Sequence, residues 1–228
     1  MKKLCKTYCP QICVLTGAAC AVLVLGLASA SAQVYYAPSY GAGSGNDVGF
    51  YFDGDLGPSF MPNFQSSRFG FPGSFSARPG MRLGLEPGFN FLSTDTLTLG
   101  GEFETGVIYN HLDSVQAPGS SPLRGDYYQV PILGNLVLKL HPSSFVVPYI
   151  GIGGGGDFSE ARIHSPGFFG FEDRSDQIDP AVQAKAGVRF RINAMSDVGF
   201  GYSFLADFPG RGGYIGTHTA SASFTIRF

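Results

Sequence analysis

The sequence predicts an all-β protein, an eight-stranded antiparallel up-and-down transmembrane β-barrel, and three observations carry that prediction. Apolar and polar side chains alternate in runs of about ten residues that recur along the chain. The connections between those runs alternate strictly between short and long. Charged residues make up only 14%, while glycine numbers 33 and phenylalanine 21; a soluble domain usually carries about 25% charged residues. With 228 residues and a mean hydropathy of +0.10, the chain has room for one domain, yet only its N-terminus is continuously apolar.

That N-terminus has three parts. Lys2, Lys3 and Lys6 form a basic start, an apolar stretch runs from Ile12 to about Leu27, and Ala30-Ser31-Ala32 gives a small-x-small site before Gln33. This is the layout of a secretory signal peptide, so residues 1–32 are expected to be cleaved. The alternatives are an uncleaved anchor, which wants about 20 apolar residues, and a lipoprotein modified at Cys20. Against the latter, Gly17-Ala18-Ala19-Cys20 lacks a leucine three before the cysteine, and the apolar run continues past it. Cys5, Cys9, Cys13 and Cys20 all lie in this segment, so the mature chain would hold no disulfide and must rely on burial or backbone pairing. Without the three lysines, 12 basic residues stand against 17 acidic ones, a net charge of −5, which argues against nucleic acid as a partner.

Residues 33–47 read as a flexible Gly/Ser/Tyr-rich lead, and 48–228 as the barrel. In the first strand Val48, Phe50, Phe52 and Leu56 share one face, opposite Tyr51, Asp53 and Asp55. In the second, Met81, Leu83, Leu85, Phe89 and Phe91 oppose Arg82, Glu86 and Asn90. The third sets Leu97, Leu99, Phe103, Val107 and Tyr109 against Thr98, Glu102 and Glu104. The fourth sets Tyr128, Val130, Ile132, Leu136, Leu138 and Leu140 against Gln129, Asn135 and Lys139. The fifth, 145–156, is so glycine-rich that its faces stay open. The sixth sets Val182, Ala184, Ala186, Val188, Phe190 and Ile192 against Gln183, Lys185, Arg189 and Arg191. Val198, Phe200, Tyr202 and Phe204 share a face of the seventh. Ala220, Ala222, Phe224, Ile226 and Phe228 do so in the eighth.

Short joints are expected at 93–96, 141–144 and 193–196, and long ones at 57–79, 110–126, 157–179 and 207–213. Short periplasmic turns and longer outer loops produce this sorting in a barrel whose two ends lie on one side. Lipid explains the faces: backbone groups in hydrocarbon must all be paired, so the sheet must close, with apolar residues outward and polar ones toward the lumen. Phe91, Phe190 and Phe228 would form an inner aromatic girdle, and Tyr109, Tyr127 and Tyr214 an outer one. Pro87, Pro131 and Pro148 fall within strands, where each loses a ladder hydrogen bond, and bulges are expected there.

The closing strand, Thr217-His218-Thr219-Ala220-Ser221-Ala222-Ser223-Phe224-Thr225-Ile226-Arg227-Phe228, resembles that of OmpA-like outer-membrane β-barrels, the group that includes opacity-type surface proteins. Tyr128-Gln129-Val130-Pro131-Ile132-Leu133 and Pro148-Tyr149-Ile150-Gly151-Ile152-Gly153 resemble that family too. The resemblance covers about 48–228 and implies the outer membrane of a Gram-negative-type bacterium, reached through the periplasm, with outer-membrane lipid as surroundings. It also implies that Phe224, Ile226 and Phe228 form the assembly signal read by the barrel-insertion machinery. Longer members add a peptidoglycan-binding domain after the barrel; this chain stops at its last strand, so that tether is not expected.

Eight strands leave a lumen that side chains can fill. The inward acids Asp53, Asp55, Glu86, Glu102 and Glu104 face the inward bases Arg82, Lys139, Lys185, Arg189 and Arg191, and small residues (Gly199, Gly201, Ser203, Ser221, Ser223) leave space for long chains to cross. Isolated buried charges are very costly, so these groups are expected to pair as a plug, the alternative being a narrow or gated channel for small solutes through the same groups. The outer loops carry Phe60, Phe64, Phe69, Phe71 and Phe75, then Phe168, Phe169 and Phe171, either contact surfaces or rim packing. Arg124-Gly125-Asp126 spells an adhesion tripeptide, a weak three-residue match with a plain reading as a glycine turn.

His111 near Asp113 and Ser114, His164 near Ser165, and His218 beside Thr219 show no spacing that singles out a catalytic site, and His141 falls in a periplasmic turn. No metal-ligand pattern appears and no cofactor is expected. The expectation is a non-enzymatic surface barrel that supports the envelope and presents loops outward, with a solute channel or a lipid-modifying enzyme as alternatives. No host or surface ligand is identified by the residues.

Overall fold

The computed structural model describes residues 47–66, 73–116, 123–141, 145–164, 172–173, 178–209 and 213–228. The expected signal segment and nearly all of the lead lie outside them. The strands are β1 (Gly49–Phe60), β2 (Phe64–Ser66), β3 (Gly73–Ala77), β4 (Gly80–Ser93), β5 (Leu97–Gln116), β6 (Leu123–Leu140), β7 (Val146–His164), β8 (Glu172–Asp173), β9 (Ile178–Arg191), β10 (Ser196–Asp207) and β11 (Ile215–Arg227). Eight of them form a ring in the order β1-β4-β5-β6-β7-β9-β10-β11, every pair antiparallel. The ring closes where β1 pairs β11, from Tyr51 opposite Arg227 to Phe60 opposite His218. The short strands are additions at one end: β2 and β3 form a hairpin beside the far end of β5, and β8 pairs β7.

Closure follows from the alternation. An open sheet with one apolar face would leave two edges of unpaired backbone, which hydrocarbon cannot solvate. Phe50, Met81, Leu83, Phe103, Leu136, Ile152, Phe200 and Phe224 all stand exposed on the outside, while the intervening Asp53, Arg82, Glu102, Asn135 and Arg189 are buried. The glycine-rich fifth barrel strand, β7, is resolved by the same parity. Ile150 and Ile152 point out, while Tyr149 and Asp157 point in; Asp157 is buried.

Three expectations are corrected. The strands run well past their anticipated ends: β5 to Gln116, β6 from Leu123 and β7 to His164, so much of the expected loops at 110–126 and 157–179 is paired sheet. Beyond the hydrocarbon neither face has to be apolar, so the alternation fades while backbone pairing continues. Second, no register shift occurs at Pro87, Pro131 or Pro148; the shifts fall at Ser76/Ala77, Asn90/Leu92 and Leu112/Val115. Each proline keeps its register with one neighbour (Phe52 opposite Pro87, Pro131 opposite Asp157, Pro148 opposite Val188). The missing N–H turns to the other neighbour, where the pairing lapses for a residue or two. Third, Tyr127 is buried and faces inward; its neighbour Tyr128 is the outward ring, 5.0 Å from Tyr109.

The inner ends are joined at 94–96, 141–145 and 192–195, as the short joints required. The outer ends are uneven: β5 has 20 residues and β7 has 19, but β10 only 12.

Candidate functional site in the lumen

Period-two geometry sends every second side chain of all eight strands into one narrow space, and the central section of that space is filled by charge. Lys185 on β9 reaches across the full diameter to Glu86 on β4, with Nζ donating to Oε2 at 2.8 Å; it also contacts Glu102 and lies 3.5 Å from Glu104 Oε2. Arg82 donates through Nη2 to Glu104 Oε1 at 2.6 Å and through Nε to Asp55 Oδ2 at 3.1 Å. Glu86 Oε1 is 3.6 Å from the Arg82 guanidinium. Arg189 holds Asp53 at 2.6 Å and Glu102 at 3.4 Å. All five acids therefore meet a cation, and all are buried.

Neutral donors complete the coordination. Tyr51 Oη donates to Glu102 Oε1 at 2.6 Å. Asn135 and Gln183 donate to the two oxygens of Glu104 at 2.6 and 2.7 Å. A carboxylate buried this deeply needs several donors to replace water.

Two cations differ from the expected acid–base pairing. Lys139 donates to Asn90 Oδ1 at 2.9 Å and lies 3.5 Å over the Tyr51 ring, a cation–π contact. Arg191 binds Asp47, the first described residue of the chain, at the inner mouth. The two tyrosines are the part that sequence reasoning underweighted. Arg189 lies 5.6 Å from the Tyr51 ring centroid and 4.9 Å from that of Tyr149. Strand parity already put Tyr51 inside, but Tyr149 sits on the strand whose faces were undetermined. The space for Tyr149 comes from Gly187 and Gly201, where a Cβ would lie 2.7 and 2.5 Å from its hydroxyl. A side chain at Gly88 would collide with the Tyr51 ring at 2.3 Å. Small residues on β10 and β11 (Ser203, Ser221, Ser223 and Gly201) leave a cavity of about 20 Å³ beside Asp53 and Asp55.

Both ends of the network are closed by other chemistry. Toward the outside lie two apolar layers: Ile108, Leu133, Ala181 and Leu205, then Met61, Phe75, Leu112, Tyr127, Ala161 and Ile215. They correct the expectation of a uniformly polar lumen; the signal was present wherever two neighbours were both apolar, as at Ile132-Leu133 or Val107-Ile108. At the inner mouth Asp47 is also 3.6 Å from His141 Nε2 and accepts Asn90 Nδ2 on its carbonyl at 2.9 Å. His141 lies in the turn after β6, 2.8 Å from Thr98 Oγ1. Burial pushes the His141 imidazole below its ordinary range, opposed by Asp47 and reinforced by Arg191, Lys139 and Arg227.

The remaining candidates scatter. His111 Nδ1 is 3.0 Å from Asp126, which also accepts from Tyr109 Oη at 2.8 Å. His218 meets Tyr202 on the outward face. Arg124-Gly125-Asp126 lies within paired β6 rather than at a turn, Arg124 and Asp126 sharing the outward face. Of the loop phenylalanines, Phe60 is exposed and Phe75 fully buried; Phe69, Phe71, Phe168, Phe169 and Phe171, with Ser165, lie outside the described residues, as do the side chains of Phe64, Ser114 and His164. Phe224 and Phe228 stand exposed on the outer face of β11 and the residue after it, and the Phe228 N–H donates to Phe50 O at 2.9 Å.

No curated protein is similar enough in sequence to match the chain. Among solved structures, the barrel is similar to Neisserial surface protein A, at 16% identity over 78% of this chain and 97% of that one, with a TM-score of 0.50. It is also similar to Ail of Yersinia pestis, solved with a heparin analogue, at 13% identity over 78% and 99% of the chains and a TM-score of 0.44. The barrel domain of Pseudomonas aeruginosa OprF gives 12% identity over 81% and 100%, with a TM-score of 0.40. At such identities the likeness is one of fold. The pattern that defines the outer membrane protein beta-barrel domain matches residues 18–228, and the chain belongs to that family of bacterial outer-membrane barrels.

Proposed function

We propose that the protein is a non-enzymatic surface barrel whose lumen is a structural plug and whose outer hairpins serve for contact. The observation that carries the plug is the central network: five carboxylates, each held by Arg82, Lys185 or Arg189, span the barrel from β4 to β9 with all members buried. Breaking such a pair strands a charge in a water-poor space, so opening the lumen for solutes would be costly. A catalytic reading finds no support in the described histidines: His111, His141 and His218 contact Asp126, Thr98 and Tyr202, not a serine. The outward order of Phe224, Ile226 and Phe228 supports their reading as the signal for the barrel-insertion machinery.

Planar-bilayer recording tests the plug. Purified protein should give no stable conductance steps in about 1 M KCl, where electrostatic screening reaches ~3 Å. Reproducible single-channel steps from the wild-type chain would overturn the plug and establish the solute channel. For the assembly signal, Phe228→Ala should slow insertion into vesicles bearing the insertion machinery while leaving spontaneous folding into detergent unchanged. Equal slowing in both settings would reduce Phe228 to a lipid-facing side chain.

A further inference from the structure

Below the central network, the inner mouth carries an arrangement that the network itself does not need. Asp47, two residues before β1, is held there at each of its polar groups. Its N–H donates to Ser93 Oγ at 3.2 Å, and its carbonyl oxygen accepts from Asn90 Nδ2 at 2.9 Å. Its carboxylate takes the Arg191 guanidinium and lies 3.6 Å from His141 Nε2. Ser93 Oγ is 2.8 Å from Thr98 Oγ1, which is 2.8 Å from His141 Nε2, so a hydrogen-bonded rim surrounds the residue.

These contacts cross the mouth. Asn90 and Ser93 stand on β4, next to β1 in the ring, whereas His141 follows β6 and Arg191 ends β9, each three strands from β1 on opposite sides. The chain enters β1 through Gly49, whose φ of 154° is one that residues with a side chain rarely adopt. A Cβ there would also stand 3.1 Å from the Phe228 carbonyl oxygen at the seam.

Charge at this level is one-sided. Lys139 forms no ion pair among the described residues; it donates to Asn90 and lies over the Tyr51 ring. Arg191 meets one acid there, Asp47, and its Nε–H finds no acceptor among the described residues. Arg227 is already taken by Asp197 at 3.0 Å. Without Asp47, then, Lys139 and Arg191 would line the mouth with no anion between them, beside an imidazole and a side-chain amide. Convergent cationic and N–H donors of this kind are what an oxyanion needs. Asp47 keeps 26% of its side chain exposed, so the contact sits where water and small solutes reach it. It rests on Asn90, and Asn90 on Lys139, so the same residue covers the buried amine from the mouth side.

We propose that the inner mouth is an oxyanion socket occupied by the protein's own Asp47, which acts as a latch. Seated, Asp47 holds the chain entering β1 across the mouth and shuts Lys139 and Arg191 off from the periplasmic side. Released, it leaves a site for a small carboxylate or phosphate from outside. The socket lies apart from the carboxylates of the plug and does not rest on the plug being tight.

Beyond residue 32 the chain holds two lysines, Lys139 and Lys185. Acylation by a small uncharged amine reagent, read by peptide mass spectrometry on the full barrel after its gel shift confirms folding, therefore reports both. Lys139 should react about tenfold faster in Asp47→Ala than in the wild type, with Lys185 slow in both. Arg191→Ala should give a similar gain, and the double variant no more than either single one, because both changes undo one contact. Asp47→Asn, which keeps the backbone contacts, should shift Lys139 in the same direction and serves if the alanine variant folds poorly. Inorganic phosphate should slow Lys139 in Asp47→Ala and leave the double variant unaffected. A wild-type rate at Lys139 in both Asp47 variants, or equal gains at Lys139 and Lys185, would overturn the latch. Multiplied gains in the double variant, or no effect of phosphate on Asp47→Ala, would overturn the socket.

Discussion

Replacing Lys185 by methionine removes the charge at the centre of the plug while keeping most of the side chain's length. In the native barrel Nζ lies 2.8 Å from Glu86, 3.5 Å from Glu104 and in contact with Glu102. At an effective dielectric of about 20, the 2.8 Å pair alone is worth roughly 6 kcal/mol of gross attraction, most of which desolvation cancels. The relevant magnitude is the cost of stranding carboxylates, about 3–5 kcal/mol when one partner of a buried pair is removed. With a urea slope near 2 kcal/mol/M, the unfolding midpoint should fall by about 2 M. Fraction folded, read from cold detergent gels after equilibration of the barrel in phospholipid vesicles, measures it. Adding Glu86→Gln and Glu102→Gln to Lys185→Met should recover much of the loss, because apolar or neutral replacement of whole pairs is far less harmful than half of it. A shift under about 0.5 M for the single variant, on the same slope, would refute the reasoning: the lumen would then be wet enough to screen its own charges.

Gly88→Ala pushes a methyl group into the Tyr51 ring, which must move away from Glu102 and Lys139; a loss of about 1–3 kcal/mol is expected for such overpacking, checked by urea midpoint with Tyr51→Phe as the milder comparison. Leu136→Arg places a cation on the lipid face of β6 and should cost up to about 2–4 kcal/mol, the range for the bilayer midplane, read by the same titration in vesicles but not in detergent micelles. For His141 the sign is set by burial, which lowers its folded-state affinity for a proton. The unfolded imidazole, near 6.5, takes up protons first, so this contribution is constant above that pH and stability declines as pH falls below it, levelling off once the folded imidazole is also protonated. The urea midpoint should therefore drop more between neutral pH and pH about 5 in the wild type than in His141→Gln, and an NMR titration should place the His141 midpoint below that of free imidazole.

The barrel was legible because lipid imposes a rule on every strand that crosses it: alternate positions must be apolar. Parity alone places the residues on the outward and inward faces of β4, β5, β6, β9 and β11 as far as the register shifts at Asn90/Leu92 and Leu112/Val115. What lay outside that rule was not legible. The paired outer ends of β5 to β7 meet no hydrocarbon, so nothing in Asp113, Gln116 or Arg162 announces a strand. The inner face has no obligatory polarity either; it must only be filled, and Leu133, Leu205 and Ile215 fill it as well as Gln129 or Glu104 do. Tyr149 was hidden for a third reason. Its strand reads Gly151-Ile152-Gly153-Gly154-Gly155-Gly156, where the alternation is carried by absence of side chains, and only Gly187 and Gly201, side by side with it on the next two strands β9 and β10, reveal that a ring belongs there.

The uneven outer ends make the molecule directional in the plane of the membrane. Starting from inner turns, β5 climbs 20 residues and β10 only 12; at about 3.4 Å per residue and a tilt near 45°, these are heights of roughly 48 and 29 Å. Against an apolar band about 25 Å tall, one side ends close to the membrane surface while the opposite side stands as a parapet some 20 Å higher. A large molecule arriving over the barrel meets a low doorway on the β10–β11 side and a stiff, hydrogen-bonded wall on the other. The face formed by β5 to β7 is therefore the part of the barrel that projects farthest beyond the apolar band.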